Sequence, residues 1–186
     1  MQAVETDEEI ITRYKNGEEE LFKMLIERYS SSLFNFAIYL TNLNYAPDLV
    51  QEVFIKVWKN LNKFNEEKAS FKTWIFTIAK NTATDFLRKK KSLLFSDIET
   101  TEEDNSFEEN ILDENLLQDE ALQKLQDIDL LNELLAKLDI NYRTILLLHY
   151  QEDMTFEEIG KILKKPLNTV KSQHRRAILD LRKLLS

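Results

Sequence analysis

Near the C-terminus Lys171, Ser172, Arg175 and Arg176 follow one another at helical spacing. Two guanidinium groups, an ammonium and a hydroxyl on one helix face combine positive charge with hydrogen-bond donors, the chemistry that holds phosphate and reads base edges in a duplex groove. A second set is Lys72, Thr73, Phe76, Thr77, Lys80, Asn81, Thr84 and Arg88. Its hydroxyls, amide, cations and aromatic ring suit an unpaired nucleic-acid strand, whose bases offer open faces for stacking. A third set is Asp48, Gln51, Glu52, Ile55 and Lys59, an isoleucine among hydrogen-bonding groups, as in a spot that docks another protein. For each set the plain alternative is a solvated helix face.

These residues need helices to present them, and the chain supplies the signals. Thr155 and Glu158 have capping-box spacing, so a helix begins there. Pro166 ends it, and Asn168 or Thr169 caps the next, whose apolar face is Val170, Ala177, Ile178 and Leu181. The pair reads as a helix-turn-helix with a basic second helix, and such helices read the major groove with their first turns. Upstream, the spacing predicts helices near Asp7–Asn16, from Glu18 to Thr41, from Pro47 to Asn62 with Asp48 a candidate N-cap, and from Ser70 to Lys90. In the third of these Leu49, Val50, Val53, Phe54, Val57, Trp58 and Leu61 form the core face, opposite Ile55. In the fourth Phe71, Trp74, Ile75, Ile78, Thr82 and Phe86 point inward, leaving Thr73, Thr77, Lys80, Asn81, Thr84, Arg88 and Lys91 outward. Threonine and asparagine are poor helix formers, so their accumulation on an outer face is not explained by helix stability.

Composition narrows the class. With 43% hydrophobic residues in 186 and only 2 Gly and 2 Pro, the chain can bury a core but holds little turn material for a sheet, so an all-α fold is expected. No apolar stretch approaches the roughly 18 residues of a membrane span, and no leader is evident, which points to a cytoplasmic protein with no direct membrane insertion. With no Cys, 2 His and no glycine-rich loop, neither a thiolate metal site nor an enzyme active site has starting material; no catalysis, cofactor or metal is expected. The net charge of -8 argues against a nucleic-acid partner until it is divided along the chain. Residues 1–91 carry 14 Lys+Arg and 13 Asp+Glu, residues 92–127 carry 1 and 12, and residues 128–186 carry 10 and 8. The acidity therefore sits in one segment, and the basic stripe survives beyond it. That segment reads as a linker between domains 1–91 and 128–186; its Phe95, Ile98, Phe107, Ile111 and Leu112 either touch something or merely persist in a tether.

The order of these pieces is more specific than any one of them. Asp48-Leu-Val-Gln51-Glu52-Val-Phe54-Ile-Lys-Val-Trp58, the run from Phe71 to Arg88, Tyr142-Arg143, Glu157-Glu158-Ile159-Gly160 and Thr169-Val170-Lys171-Ser172 together resemble a bacterial RNA polymerase sigma factor of the extracytoplasmic-function (ECF) group. The resemblance spans nearly the whole chain. It implies two helical domains, sigma domains 2 and 4, and promoter-specific initiation as the function. By resemblance Asp48, Gln51, Glu52, Ile55 and Lys59 dock on the clamp helices of the polymerase β′ subunit. The face of Lys72, Thr73, Phe76, Thr77, Lys80, Asn81, Thr84 and Arg88 meets the melted -10 element, with the Lys63-Phe64-Asn65 loop closing over a flipped base. Asn168, Thr169, Lys171, Ser172, Gln173, Arg175 and Arg176 read the -35 duplex. The implied partners are core polymerase (β′ clamp helices and β flap), promoter DNA and an anti-sigma factor. Gln173, His174, Asp139 and Asn168 depart from the family pattern, and His174 falls on the core side of its helix. The competing reading is a helix-turn-helix regulator acting without polymerase docking; a protein-binding helical adaptor is a third.

Overall fold

The computed structural model describes residues 5–96 and 130–185, with the side chains of 91–96 left aside; the acidic linker and its apolar residues lie outside the described side chains. Helix α1 (Asp7–Lys15) opens on a capping box in which Thr6 and Glu9 satisfy each other's backbone amides and closes at Asn16, before Gly17 turns the chain at φ 109. A 3-10 turn at Glu19–Leu21 precedes α2 (Phe22–Leu40). The expected helix from Glu18 thus begins with a tighter turn. Pro47 stands in the first turn of α3 (Ala46–Asn60), where its missing N–H costs no intrahelical bond. Tyr45, not Asp48, occupies the cap, and Asp48 lies in the first turn, facing the positive end of the helix dipole. After a second 3-10 turn (Leu61–Lys63), α4 runs from Phe71 to Ser96, past the expected end at Lys90.

The C-terminal helices follow the same local logic. Residues 130–136 form the described part of α5. Asp139 caps α6 (Ile140–Tyr150) by accepting from Asn141 N–H at 2.8 Å. Thr155 and Glu158 form the expected capping box at the head of α7 (Phe156–Leu163). Helix α7 stops before Pro166, at Lys164, which takes φ 54 and ψ 45. Pro166 itself stands at the cap of α8 (Leu167–Leu185), its carbonyl accepting from Thr169 N–H at 2.9 Å and Val170 N–H at 3.1 Å. Asn168 and Thr169 are therefore first-turn residues rather than caps, because proline's fixed φ already starts the helix.

The described residues are helical with no strand, in two groups, α1–α4 and α5–α8. Aromatic side chains dominate the first core. Phe36 and Phe76 meet edge-to-face at 5.3 Å, and Phe71 lies 5.4 Å from Tyr29 and 5.6 Å from Phe64. Each such ring contributes roughly 1.5–3 kcal/mol by leaving water. The groups also pack on each other, α2 against α6 and α4 against α7.

Candidate nucleic-acid and docking interfaces

Helix α8 divides cleanly. Val170 and Ala177 are buried and Ile178 and Leu181 half-buried, while Lys171, Ser172, Arg175 and Arg176 are exposed together on the other side. Among the described residues no ion pair ties up Lys171, Arg175 or Arg176, so three cations remain for phosphate or guanine edges. Ser172 donates back to the Thr169 carbonyl at 2.9 Å. Asn168 is exposed beside them and Thr169 half-buried, whereas Gln173 turns toward the interhelical turn and accepts from Lys165 Nζ at 3.1 Å. The angle at which α8 leaves α7 is set by backbone. Lys165 N–H donates to the Gly160 carbonyl at 2.9 Å, and a Cβ on Gly160 would come within 2.8 Å of the Lys165 carbonyl oxygen.

His174, expected on the core side, is half-buried in a cluster with His149, Tyr150 and Phe156. Its Nε2 lies 3.0 Å from the Tyr150 hydroxyl. Burial, and then the neighbouring His149, hold its pKa below the ordinary 6.5.

Helix α4 carries a narrower polar face than its spacing suggests. Asn81 and Arg88 are exposed, and Thr77, Lys80 and Thr84 half-buried. Thr77 and Thr84 donate to carbonyls four residues back, at 2.7 and 2.8 Å, which satisfies their hydroxyl hydrogens within the helix. Thr73 and Phe76, expected outward, are buried at 2% and 0% exposure. The reason is that α4 packs on α2, α3 and α7, so its buried arc exceeds one amphipathic stripe. Lys72 also faces α7 and its preceding turn; its Nζ reaches the Glu152 carbonyl at 2.6 Å and carboxylate at 3.2 Å.

In the loop before α4, Lys63 and Asn65 are exposed, but Phe64 is buried against Phe71 and Trp74 and cannot stack on a base from there. Its carbonyl accepts from Lys15 Nζ at 2.9 Å. Between α1 and this loop opens a cavity of about 330 Å³ whose lining includes Thr12, Lys15, Asn65 and Glu66.

On α3 all five expected docking residues, Asp48, Gln51, Glu52, Ile55 and Lys59, are exposed. Ile55 is 43% exposed and does not stand alone: Trp58, assigned to the core by its spacing, is 55% exposed one turn further on. The signal was present in the sequence. At about 100° per residue Trp58 sits roughly 140° from Val53, closer to Ile55 than to the core. Lys56 pairs with Glu52 at 2.8 Å and donates to Thr82 Oγ1 at 3.1 Å, fixing this face relative to α4.

Comparison with known proteins matches both groups of helices. Residues 25–93 fit the Sigma-70 region 2 family and residues 128–181 the Sigma-70, region 4 family. The chain is 30% identical over 177 residues to the ECF RNA polymerase sigma factor SigW of Bacillus subtilis (strain 168), covering 94% of each. Among solved structures it resembles the sigma factor RpoE bound to the anti-sigma factor NepR from Bartonella quintana, with TM-score 0.68 and 25% identity over 88% of this chain and 96% of that one. It shares the fold of CnrH in complex with the cytosolic domain of CnrY, with TM-score 0.70 and 20% identity over 95% and 94%. A helix-turn-helix with a free cationic face, set behind a helical group whose α3 exposes Ile55 and Trp58 among polar side chains, places this chain in the family of ECF RNA polymerase sigma factors.

Proposed function

We propose that the chain is an alternative sigma factor that binds core RNA polymerase through α3, meets the melted -10 strand with α4 and reads the -35 duplex with α8. It directs initiation without catalysis of its own and works in the cytoplasm beside the polymerase. Residues 1–91 serve as domain 2 and 128–186 as domain 4, joined by the acidic linker. The carrying observation is that one chain of this family presents Lys171, Arg175 and Arg176 on one helix face with no ion pair among the described residues and, separately, an apolar pair on a polar helix face. The first suits duplex phosphate and bases; the second has the apolar centre and polar rim of a docking surface.

Within this reading the docking set is Asp48, Gln51, Glu52, Ile55 and Lys59, with Trp58 added. The -10 set is Lys63, Asn65, Lys72, Thr77, Lys80, Asn81, Thr84 and Arg88, without the buried Phe64, Thr73 and Phe76. The -35 set is Asn168, Thr169, Lys171, Ser172, Arg175 and Arg176, with Gln173 at its edge. The reading also includes the β flap as a second polymerase contact and an anti-sigma factor as a regulator. No helix of the described residues is long and apolar enough to cross a membrane.

The test is capture of core polymerase by the purified chain, followed by transcription from randomised promoters. Selective initiation is expected, and Ile55→Asp should abolish capture while helical content stays unchanged. Undiminished capture by the variant would reject the α3 surface, and failure of the wild-type chain to bind polymerase would favour a regulator acting on duplex DNA alone.

A further inference from the structure

A helix with its side chains nearly fills the major groove, at roughly 10–12 Å against about 12 Å. Whatever flanks a helix lying there meets the phosphate backbone at the groove's edge. On one flank of α8 stands His174, three residues after Lys171 and next to Arg175, so it borders the exposed cations on the helix surface. Tyr150, the last residue of α6, extends that flank outward. It is 60% exposed, and its hydroxyl lies 3.0 Å from His174 Nε2. Phe156 backs the pair, its ring 5.0 Å from that of His174 and stacked at 4.5 Å on His149. An exposed tyrosine fixed to a histidine in this way is a hydrogen-bonding group whose direction depends on the histidine's charge.

Neutral His174 can accept the tyrosine hydrogen at Nε2. Once protonated, both its ring nitrogens carry hydrogens, so Nε2 donates to the tyrosine oxygen and the O–H turns outward. The surrounding charges do not supply that proton's counter-ion. On α8 the ring is bordered by Lys171 and Arg175, and on α6 by His149, whose ring centre is 5.3 Å away. In the turn before α7, Glu152 is held by Lys72 and Asp153 is exposed; on α7, Glu157 is exposed and Glu158 closes the capping box with Thr155. Among the described residues no carboxylate forms an ion pair with His174. Burial and then His149 lower its pKa, so the free chain reaches neutral pH with this ring uncharged, and two rings so close take up one proton before two.

We propose that Tyr150 and His174 form a titratable phosphate seat on the flank of α8, which engages the duplex backbone beside the -35 bases when His174 is protonated. The proposal rests on α8 being the duplex-reading helix. A phosphate beside the ring favours the imidazolium, and linkage makes the effect mutual: duplex raises the histidine's affinity for a proton, and the proton tightens the duplex by the same factor. The balance is one proton taken from solution as the duplex binds. Backbone contacts carry no base information, so acid strengthens binding to every duplex alike and leaves sequence choice to Lys171, Ser172, Arg175 and Arg176.

Fluorescence anisotropy of a labelled random-sequence duplex, titrated with the full chain at matched low salt and unchanged helical content, reads the effect. From about pH 8 to about pH 6 the wild-type chain should bind about fivefold more tightly. The gain should fall to about twofold in Tyr150→Phe, which removes only an exposed hydroxyl, and vanish in His174→Gln, which keeps a hydrogen-bonding side chain that does not titrate. Tyr150→Phe keeps the test open if His174→Gln disturbs the packing of α8. A gain that survives undiminished in both variants, or no gain in the wild-type chain, overturns the seat. Arg176→Ala separates the two claims. Weakened binding by that variant alongside either of those results strikes the seat and leaves α8 as the duplex helix, whereas undiminished binding removes the α8 reading and the seat with it.

Discussion

At the level of single residues, the useful distinction is between side chains that the fold has already satisfied and those it leaves with unused capacity. Thr77 and Thr84 spend their hydroxyl hydrogens on their own helix and Arg88 pairs with Asp85 at 3.0 Å, whereas Asn81 stands exposed beside them. On α3 the same criterion selects Trp58, more than half exposed although it is the largest side chain of that helix. Aromatic anchors dominate protein interfaces. Trp58→Ala should therefore weaken binding to core polymerase about 30-fold while leaving the melting temperature within a degree or so, as titration of a labelled chain and a thermal melt would show. Equal binding would confine the surface to Ile55 and its polar neighbours. Residue chemistry was legible in the sequence where spacing was unambiguous: Lys171, Ser172, Arg175 and Arg176 are exposed together as expected. It misled where a residue sat at the margin of a stripe. Trp58 lies outside the core on the side its angle already indicated, whereas Phe76 is buried because α2, α3 and α7 cover more of α4 than one stripe, and periodicity gives a direction on a helix but not how many neighbours cover it.

At the level of elements, the start of α7 was readable because its cap is local: the Thr155–Glu158 box is made within a few residues of sequence. The starts of α3 and α8 were not, since Tyr45 and Pro166 precede the expected caps at Asp48 and at Asn168 or Thr169. Nor were all helix ends: α4 continues past Lys90, and α7 stops ahead of Pro166. The turn between α7 and α8 leaves no room at Gly160 for a methyl group against the Lys165 carbonyl. Gly160→Ala should accordingly cost about 1–3 kcal/mol, read as a drop in the denaturation midpoint, with loss of duplex binding as α8 tilts. The histidine cluster adds a pH dependence. Because the folded state holds the His174 pKa below 6.5, the unfolded chain binds the proton first as acid is added. Its contribution to stability is thus complete above about pH 6.5 and declines below it. Melting temperatures should fall on acidification below that point, and less steeply in His174→Asn; parallel slopes for the two proteins would show that other groups carry the effect.

At the level of the whole molecule, the all-α class and the division into two helical groups followed from composition and periodicity, because a chain with so few Gly and Pro and long stretches of helical spacing has few other ways to bury its apolar side chains. Their packing on each other did not. It depends on Lys72–Glu152 and Arg143–Leu40, pairs separated by 80 and 103 residues, and no local pattern marks such partners. On the proposed reading, a chain of net charge -8 should bind promoter DNA weakly alone and more tightly once polymerase has docked. Equal promoter affinity with and without core polymerase, at matched salt, would remove that expectation. The backbone-locked turn before α8 has a further consequence for descent. Since Gly160, Val170 and Ala177 hold the helix and Lys171, Ser172, Arg175 and Arg176 take no part in holding it, lineages can exchange the outward four without refolding the domain. If these four read the -35 duplex as proposed, new promoter preferences lie a few codon changes away, and drift in DNA sequence can be followed by drift in its reader.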